Sequence, residues 1–87
     1  MNKYQVTAAN IKRIMSKAGH TVILDEDPTS EEISISTMID TVLLTFYIST
    51  EEGENHDYFA TSRKGETLRE ESFETLAEAE AFALKTF

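Results

Sequence analysis

The sequence contains no cysteine and no tryptophan, and it has one proline and three glycines among 87 residues. Without cysteine the fold has no disulfide, no thiolate nucleophile and no thiolate metal ligand, which is typical of a reducing compartment. The longest apolar-rich stretch, residues 42–48, is too short to cross a bilayer. Residues 1–17 also lack the continuous apolar run of a signal peptide. We therefore expect a cytoplasmic protein without membrane contact.

Acidic residues are absent from the first 24 positions, which carry four basic residues and a charge of +4. The remaining positions carry four basic and sixteen acidic residues, so they sum to −12 and the whole chain to −8. A molecule of this charge repels DNA, RNA and anionic membranes overall. We therefore expect a basic protein, and neither a nucleic acid nor a membrane, as the main partner.

Two helices are predicted, one near each end of the chain. Apolar residues recur at helical spacing over residues 8–18, with Thr7 as N-cap and Gly19 just beyond the C-terminus. The second helix spans residues 75–86, where Thr75 and Glu78 fit the capping-box pattern. Strand patterns lie between the helices at residues 21–24, 33–36, 42–50 and 57–63. We interpret 25–32 as an acidic loop, 51–56 as a hairpin loop, and 67–73 as either a short edge strand or irregular.

These elements predict a single α+β domain over residues 1–87, in the order helix, three or four antiparallel strands, helix, with both helices on one face of the sheet. In the strongest strand, alternate residues would face the helices: Val42, Leu44, Phe46 and Ile48. The other side of the sheet would carry Leu43, Tyr47 and Phe59, which make it more apolar than a solvent-exposed face usually is. This pattern leaves two interpretations: a homodimer interface, or ordinary isolated apolar residues.

Residue patterns for metal binding and catalysis are incomplete. Residues 25–27 begin like a calcium loop, but Ser30 and Ser36 occupy the positions of the required glycine and bidentate glutamate. His20 and His56 are distant from each other and have no cysteine to complete a zinc site. The sequence also contains no G-x-S-x-G nucleophile elbow and no glycine-rich phosphate loop. We therefore predict no cofactor, no metal and no enzymatic activity.

The order of elements resembles that of the double-stranded RNA-binding domain, which contacts RNA through basic loops and a basic helix start. In this chain the second helix begins among acids, including Glu74 and Glu78, so those RNA contacts have no counterpart. The first helix carries Lys12, Arg13 and Lys17. A nucleic-acid binder that uses this helix is therefore kept as an alternative.

The carboxylates fall into three patches, at residues 25–32, 51–57 and 66–78. Carboxylates on an ordered scaffold can imitate phosphates and compete for the basic groove of a nucleic-acid-binding protein. In its size, acidity and lack of catalytic motifs the chain is similar to small phage proteins, anti-CRISPR inhibitors among them.

We predict a non-enzymatic protein–protein interaction module that docks on a basic protein, with a phage-type inhibitor mimicking nucleic acid as its most specific form. One alternative is a homo-oligomeric structural or accessory protein, and another is that the acidity serves solubility alone. The predicted partner-binding residues are Glu51, Glu52, Glu54, Asp57, Glu70, Glu71, Glu74 and Glu78. The predicted oligomer face consists of Leu43, Tyr47 and Phe59.

Overall fold

The computed structural model of the chain describes residues 2–27, 29, 31–50 and 58–87. These residues form two helices and one five-stranded antiparallel sheet: α1 (Lys3–Lys17), β1 (Val22–Asp27), β2 (Glu32–Ile39), β3 (Val42–Ser49), β4 (Tyr58–Lys64), β5 (Thr67–Phe73) and α2 (Leu76–Thr86). The strands lie in the order β1-β2-β3-β4-β5, so each strand pairs with the next one in the chain. The α+β class is confirmed, whereas the predicted count of three or four strands is wrong.

Helix α1 begins earlier than its apolar periodicity predicts. Its N-cap is Asn2, whose side-chain oxygen accepts a hydrogen bond from the backbone N–H of Gln5 at 2.9 Å. The Gln5 side chain in turn accepts from the backbone N–H of Asn2 at 3.0 Å, which completes a capping box. Thr7, the predicted cap, is instead buried within the helix. The predicted stop is confirmed, because Gly19 follows the helix with a left-handed φ of +92°.

Both edges of the sheet contain residues that the sequence does not assign to strands. Residues 25–27, predicted as loop, continue β1 and pair with residues 32–34 of β2. Their acidic side chains are exposed, so pairing satisfies the backbone without burying charge. At the other edge, the ambiguous residues 67–73 form β5 and pair with β4 along its full length. The predicted hairpin loop at 51–56 lies outside the described residues.

The core lies between the helices and alternate residues of the strands. Phe46 is its central ring, 1% exposed, with the ring of Phe82 at 5.9 Å and the ring of Phe73 stacked at 6.3 Å. Helix α1 contacts β1, β2 and β3, α2 contacts β4 and β5, and the helices contact each other. Ala79 and Ala83 of α2 are fully buried, as their small size allows close approach. Of the four predicted core positions of β3, Leu44, Phe46 and Ile48 are buried, and Val42 is partly buried.

One tyrosine pair joins the start of α1 to β4. Tyr4 is 4% exposed and Tyr58 is 6% exposed, and their side chains are hydrogen-bonded. Burial raises the pKa of Tyr58 above 10.0, and the neighbouring Tyr4 adds to the shift. The Tyr58 hydroxyl is therefore held in its neutral form beyond the pH at which an exposed tyrosine ionises.

Candidate interaction surface

The strand residues that alternate with the core positions form a second side of the sheet, which we call the open face. Residues directly opposite each other in an antiparallel pair point to the same side, so the strand register defines its members. They are Ile23, Asp25, Asp27, Glu32, Ser34, Ser36, Met38, Leu43, Thr45, Tyr47, Ser49, Phe59, Thr61, Arg63, Leu68, Glu70 and Ser72.

Large apolar side chains of the open face are exposed and adjacent. Met38 lies opposite Leu43 in the β2–β3 pair, and Leu43 and Leu68 both lie opposite Arg63. The exposed fractions are 53% for Met38, 40% for Leu43 and 57% for Leu68. Ile23 of β1 is 68% exposed. Met38, Leu43 and Leu68 therefore lie along one cross-strand line, which also contains Arg63, and Ile23 lies in the next line, opposite Ser36.

An aromatic pair lies further along the same face, beyond the cross-strand line of Ser36, Thr45 and Thr61. Tyr47 and Phe59 lie opposite each other in the β3–β4 pair, and their rings stack with centroids 4.8 Å apart. Both side chains are half-buried. The structure thus brings the predicted oligomer residues Leu43, Tyr47 and Phe59 to one face. The sequence prediction missed Ile23, Met38 and Leu68, which only the register places beside them.

A shallow concavity of about 350 Å³ lies at the β1 end of this apolar row. Its lining includes Ile23, Met38, Leu43 and His20. The His20 ring contacts the ring edge of Phe87, with centroids 5.3 Å apart, so it is held by packing. The concavity gives the otherwise flat sheet surface a recess for an apolar side chain.

Small hydroxyl side chains occupy the middle of the open face. Thr45 is only 6% exposed although it lies on this side, because its larger neighbours shield it. The Ser36 hydroxyl donates to the Thr45 hydroxyl at 3.2 Å across the β2–β3 pair. Among the described residues, every buried side-chain nitrogen and oxygen has a hydrogen-bond partner. The Ser36 and Thr45 hydroxyl groups in the middle of the face are therefore hydrogen-bonded to each other within the fold.

Carboxylates outnumber cations on the open face. Asp25, Asp27 and Glu32 lie at one corner and Glu70 lies on β5, whereas Arg63 is the one cation among the described strand residues of this face. The Asp27 carboxylate accepts the backbone N–H of Thr29 at 2.9 Å. The face thus presents an apolar row and a mainly negative charge together.

The structure separates the predicted partner-binding acids. Glu51, Glu52, Glu54 and Asp57 lie outside the described residues. Glu70 belongs to the open face, but its neighbour Glu71 points to the core side of the sheet, opposite Ala60.

Glu74 and Glu78 lie at the start of α2, where the Glu78 carboxylate accepts the backbone N–H of Glu74 at 2.9 Å. Asp25 and Glu32 lie on the open face instead, although the sequence predicted their segment to be a loop. Pairing with β2 places Asp25 there, and the uniformly acidic residues 25–27 contain no alternation that could have shown it.

The basic side chains of α1 lie near an acid of α2. Lys12, Arg13 and Lys17 are exposed. Arg13 donates to the side chain of Asn10, and Asn10 donates to the carboxylate of Glu80 at 3.0 Å. Arg13 is therefore linked to Glu80 of α2 through the side chain of Asn10.

Comparison with known proteins gives no family. No family model matches the chain, and no curated protein or solved structure shows a significant match.

Two further features are absent from the described residues. No group of three or more His, Asp or Glu side chains there is arranged to hold a metal ion. No described helix has the length and apolar character needed to cross a membrane.

Proposed function

We propose that the chain is a protein–protein interaction domain that binds a basic protein through the open face. The observation that carries this proposal is the row of exposed apolar side chains on that face, which also carries more carboxylates than cations. The proposal requires that both helices cover the opposite face. It is supported by the contact between α1 and α2 and by their shared core with alternate strand residues.

The apolar row supports a docking role because its members are neighbours. Single exposed apolar residues are ordinary on protein surfaces and need no explanation. Contiguous apolar patches with polar surroundings mark interaction sites more often. Met38 and Leu43 are direct cross-strand partners, Leu68 lies beyond Arg63 in the same line, and the stacked pair Tyr47–Phe59 adds apolar surface elsewhere on the same face.

The charge of the open face favours a basic partner over an acidic one. Carboxylates near an apolar patch accelerate association with a cationic surface and repel anionic ones. Glu51, Glu52, Glu54 and Asp57 remain predicted contributors to this attraction. Inhibition by imitation of nucleic acid is the specific form that such charge favours, and it requires no catalytic activity.

The apolar contribution is tested by capture from native host lysate with variants side by side. Leu43→Ser combined with Leu68→Ser removes apolar surface from the open face, and we expect it to lose the captured basic protein. Leu84→Ser is the matched control, because Leu84 is 65% exposed but lies on α2. Equal capture by the open-face variant and the control would contradict the proposal.

The charge contribution is tested with the captured partner after purification. Asp25→Lys reverses a charge on the open face, whereas Glu66→Lys makes the same change in the turn between β4 and β5. We expect Asp25→Lys to slow association and flatten its salt dependence more than Glu66→Lys. Identical association rates for the two variants would remove the role assigned to this face.

Two alternatives predict different outcomes. A homodimer formed by the open faces would show a concentration-dependent mass in light scattering, which Leu43→Ser would abolish. A nucleic-acid binder using Lys12, Arg13 and Lys17 would retard nucleic acid in a gel shift at low salt. We expect the nucleic acid to run unretarded.

A further inference from the structure

Strand β5 forms one edge of the sheet. Within the part of the chain that the structure describes, β4 is its one strand neighbour, and residues 67–72 are all exposed. An edge strand presents unpaired backbone N–H and C=O groups along its outer side, and these groups can pair with another extended strand. The outer side of β5 is therefore a second candidate interface, separate from the open face.

The two edges of the sheet differ in charge pattern. Edge strand β1 ends in three consecutive acids at residues 25–27, which repel a second copy of the same strand. Edge strand β5 carries both signs, with Arg69 followed by Glu70 and Glu71. Mixed charge on an edge permits pairing with itself when the register brings opposite signs together.

We propose that two copies of the chain associate through antiparallel pairing of their β5 strands, with the two-fold axis at Glu70. In this register Arg69 of each copy lies opposite Glu71 of the second copy, so two complementary pairs form. Leu68 lies opposite Ser72, and Thr67 lies opposite Phe73. The two five-stranded sheets become one continuous sheet.

Other registers lack this complementarity. In a continuous sheet the paired residues must point to the same side. The two-fold axis must therefore pass through a residue and not between two residues, so the neighbouring registers have their axes at Arg69 and at Glu71. An axis at Arg69 places the two arginines opposite each other, and an axis at Glu71 places two glutamates opposite each other. Of these three registers, only the one with its axis at Glu70 places Arg69 opposite Glu71, and it does so in two equivalent pairs.

The same register also contains one repulsive pair. Glu70 lies opposite Glu70 of the second copy at the axis, and like charges directly opposite each other are destabilising. Glu70→Gln removes this repulsion without changing the size of the side chain. We therefore expect Glu70→Gln to tighten the dimer about threefold.

Sedimentation equilibrium over a range of concentrations tests the proposal. We expect a reversible dimer for the natural sequence, and about tenfold weaker association for Arg69→Glu and for Glu71→Arg. The double variant Arg69→Glu/Glu71→Arg restores opposite charges across the axis, and we expect it to restore association. A monomer at every concentration, or a double variant no tighter than the single ones, would overturn the proposal.

Two controls separate edge pairing from other causes. Lys12→Glu changes net charge as much as Arg69→Glu does, but it lies on α1, and we expect it to weaken the dimer less. Leu43→Ser tests the open face, and edge pairing predicts no change in the dimer. Weakening by Leu43→Ser equal to that by Arg69→Glu would assign the dimer to the open face instead. Circular dichroism of each variant confirms that it remains folded.

Discussion

Both sides of strand β3 carry large apolar side chains, but their surroundings differ. On one side Leu44, Phe46 and Ile48 are buried against helix residues. On the other side Leu43 is 40% exposed, and Tyr47 is covered mainly by Phe59. The comparison shows that apolar character alone does not distinguish a core from a binding surface. What distinguishes them is whether another element of the same chain covers the side chains.

The largest expected effect is a loss of stability, which we compare for one aromatic residue on each side of β3. Phe46→Ala leaves a cavity in the core, and we expect it to lower the free energy of unfolding by about 3–5 kcal/mol. Tyr47→Ala removes a half-buried ring, and we expect a loss of about 1 kcal/mol. Urea denaturation measures both values. Phe46→Leu provides a milder variant if Phe46→Ala does not fold.

Equal losses for the two alanine variants would break the comparison. They would mean that the open face is a second structural core rather than a surface available to a partner.

Two threonines provide a finer comparison at constant side-chain shape. Thr37 is 3% exposed on the core side, and its hydroxyl donates to the carbonyl of Thr21 at 2.7 Å. Thr37→Val leaves that carbonyl without its donor, and we expect a loss of about 1 kcal/mol. Thr45→Val on the open face removes the acceptor for the Ser36 hydroxyl, and we expect a loss below about 0.5 kcal/mol. Thermal or urea unfolding of both variants measures the difference, and the reverse order would contradict it.

The smallest expected effect is a decrease in the free energy of unfolding at alkaline pH, which comes from Tyr58 on the core side of the sheet. Because the pKa of Tyr58 is raised above 10.0, the unfolded chain loses this proton first as the pH rises. The stabilisation is complete below pH 10 and is lost as the pH rises from there through the folded pKa. Tyr58→Phe should therefore lose less stability than the natural sequence between neutral and alkaline pH. If the free energy of unfolding fell equally steeply with pH in the two proteins, Tyr58 would not contribute to the pH dependence.

The side of β3 that faces the core could be predicted because the periodicity of apolar residues reports burial directly. The predicted cap Thr75 also accepts the N–H of Glu78, at 3.1 Å. The start of α1 was missed because apolar periodicity does not extend to its first turn, which is fixed by the reciprocal bonds of Asn2 and Gln5. Asn followed three residues later by Gln is the sequence signal that would have found it.

The edge strands could not be predicted because their stability comes from pairing. Residues 25–27 are acidic and exposed, and their strand conformation depends on hydrogen bonds to β2 rather than on side-chain burial. The same holds for β5, where Phe73 is the one residue that is partly buried. The acidic site prediction was limited for the same reason, since sequence patches do not show on which side of a strand a carboxylate lies. Glu70 and Glu71 are adjacent in sequence and point in opposite directions.

The order of the strands in the sheet follows their order in the chain, and this has a consequence for folding. Each strand finds its partner across a connection that is short in sequence, so successive hairpins can form with little loss of chain entropy. The bond between Asn10 and Glu80 instead spans 70 positions. Docking of the two helices is thus the step that closes the longest loop and carries its entropy cost.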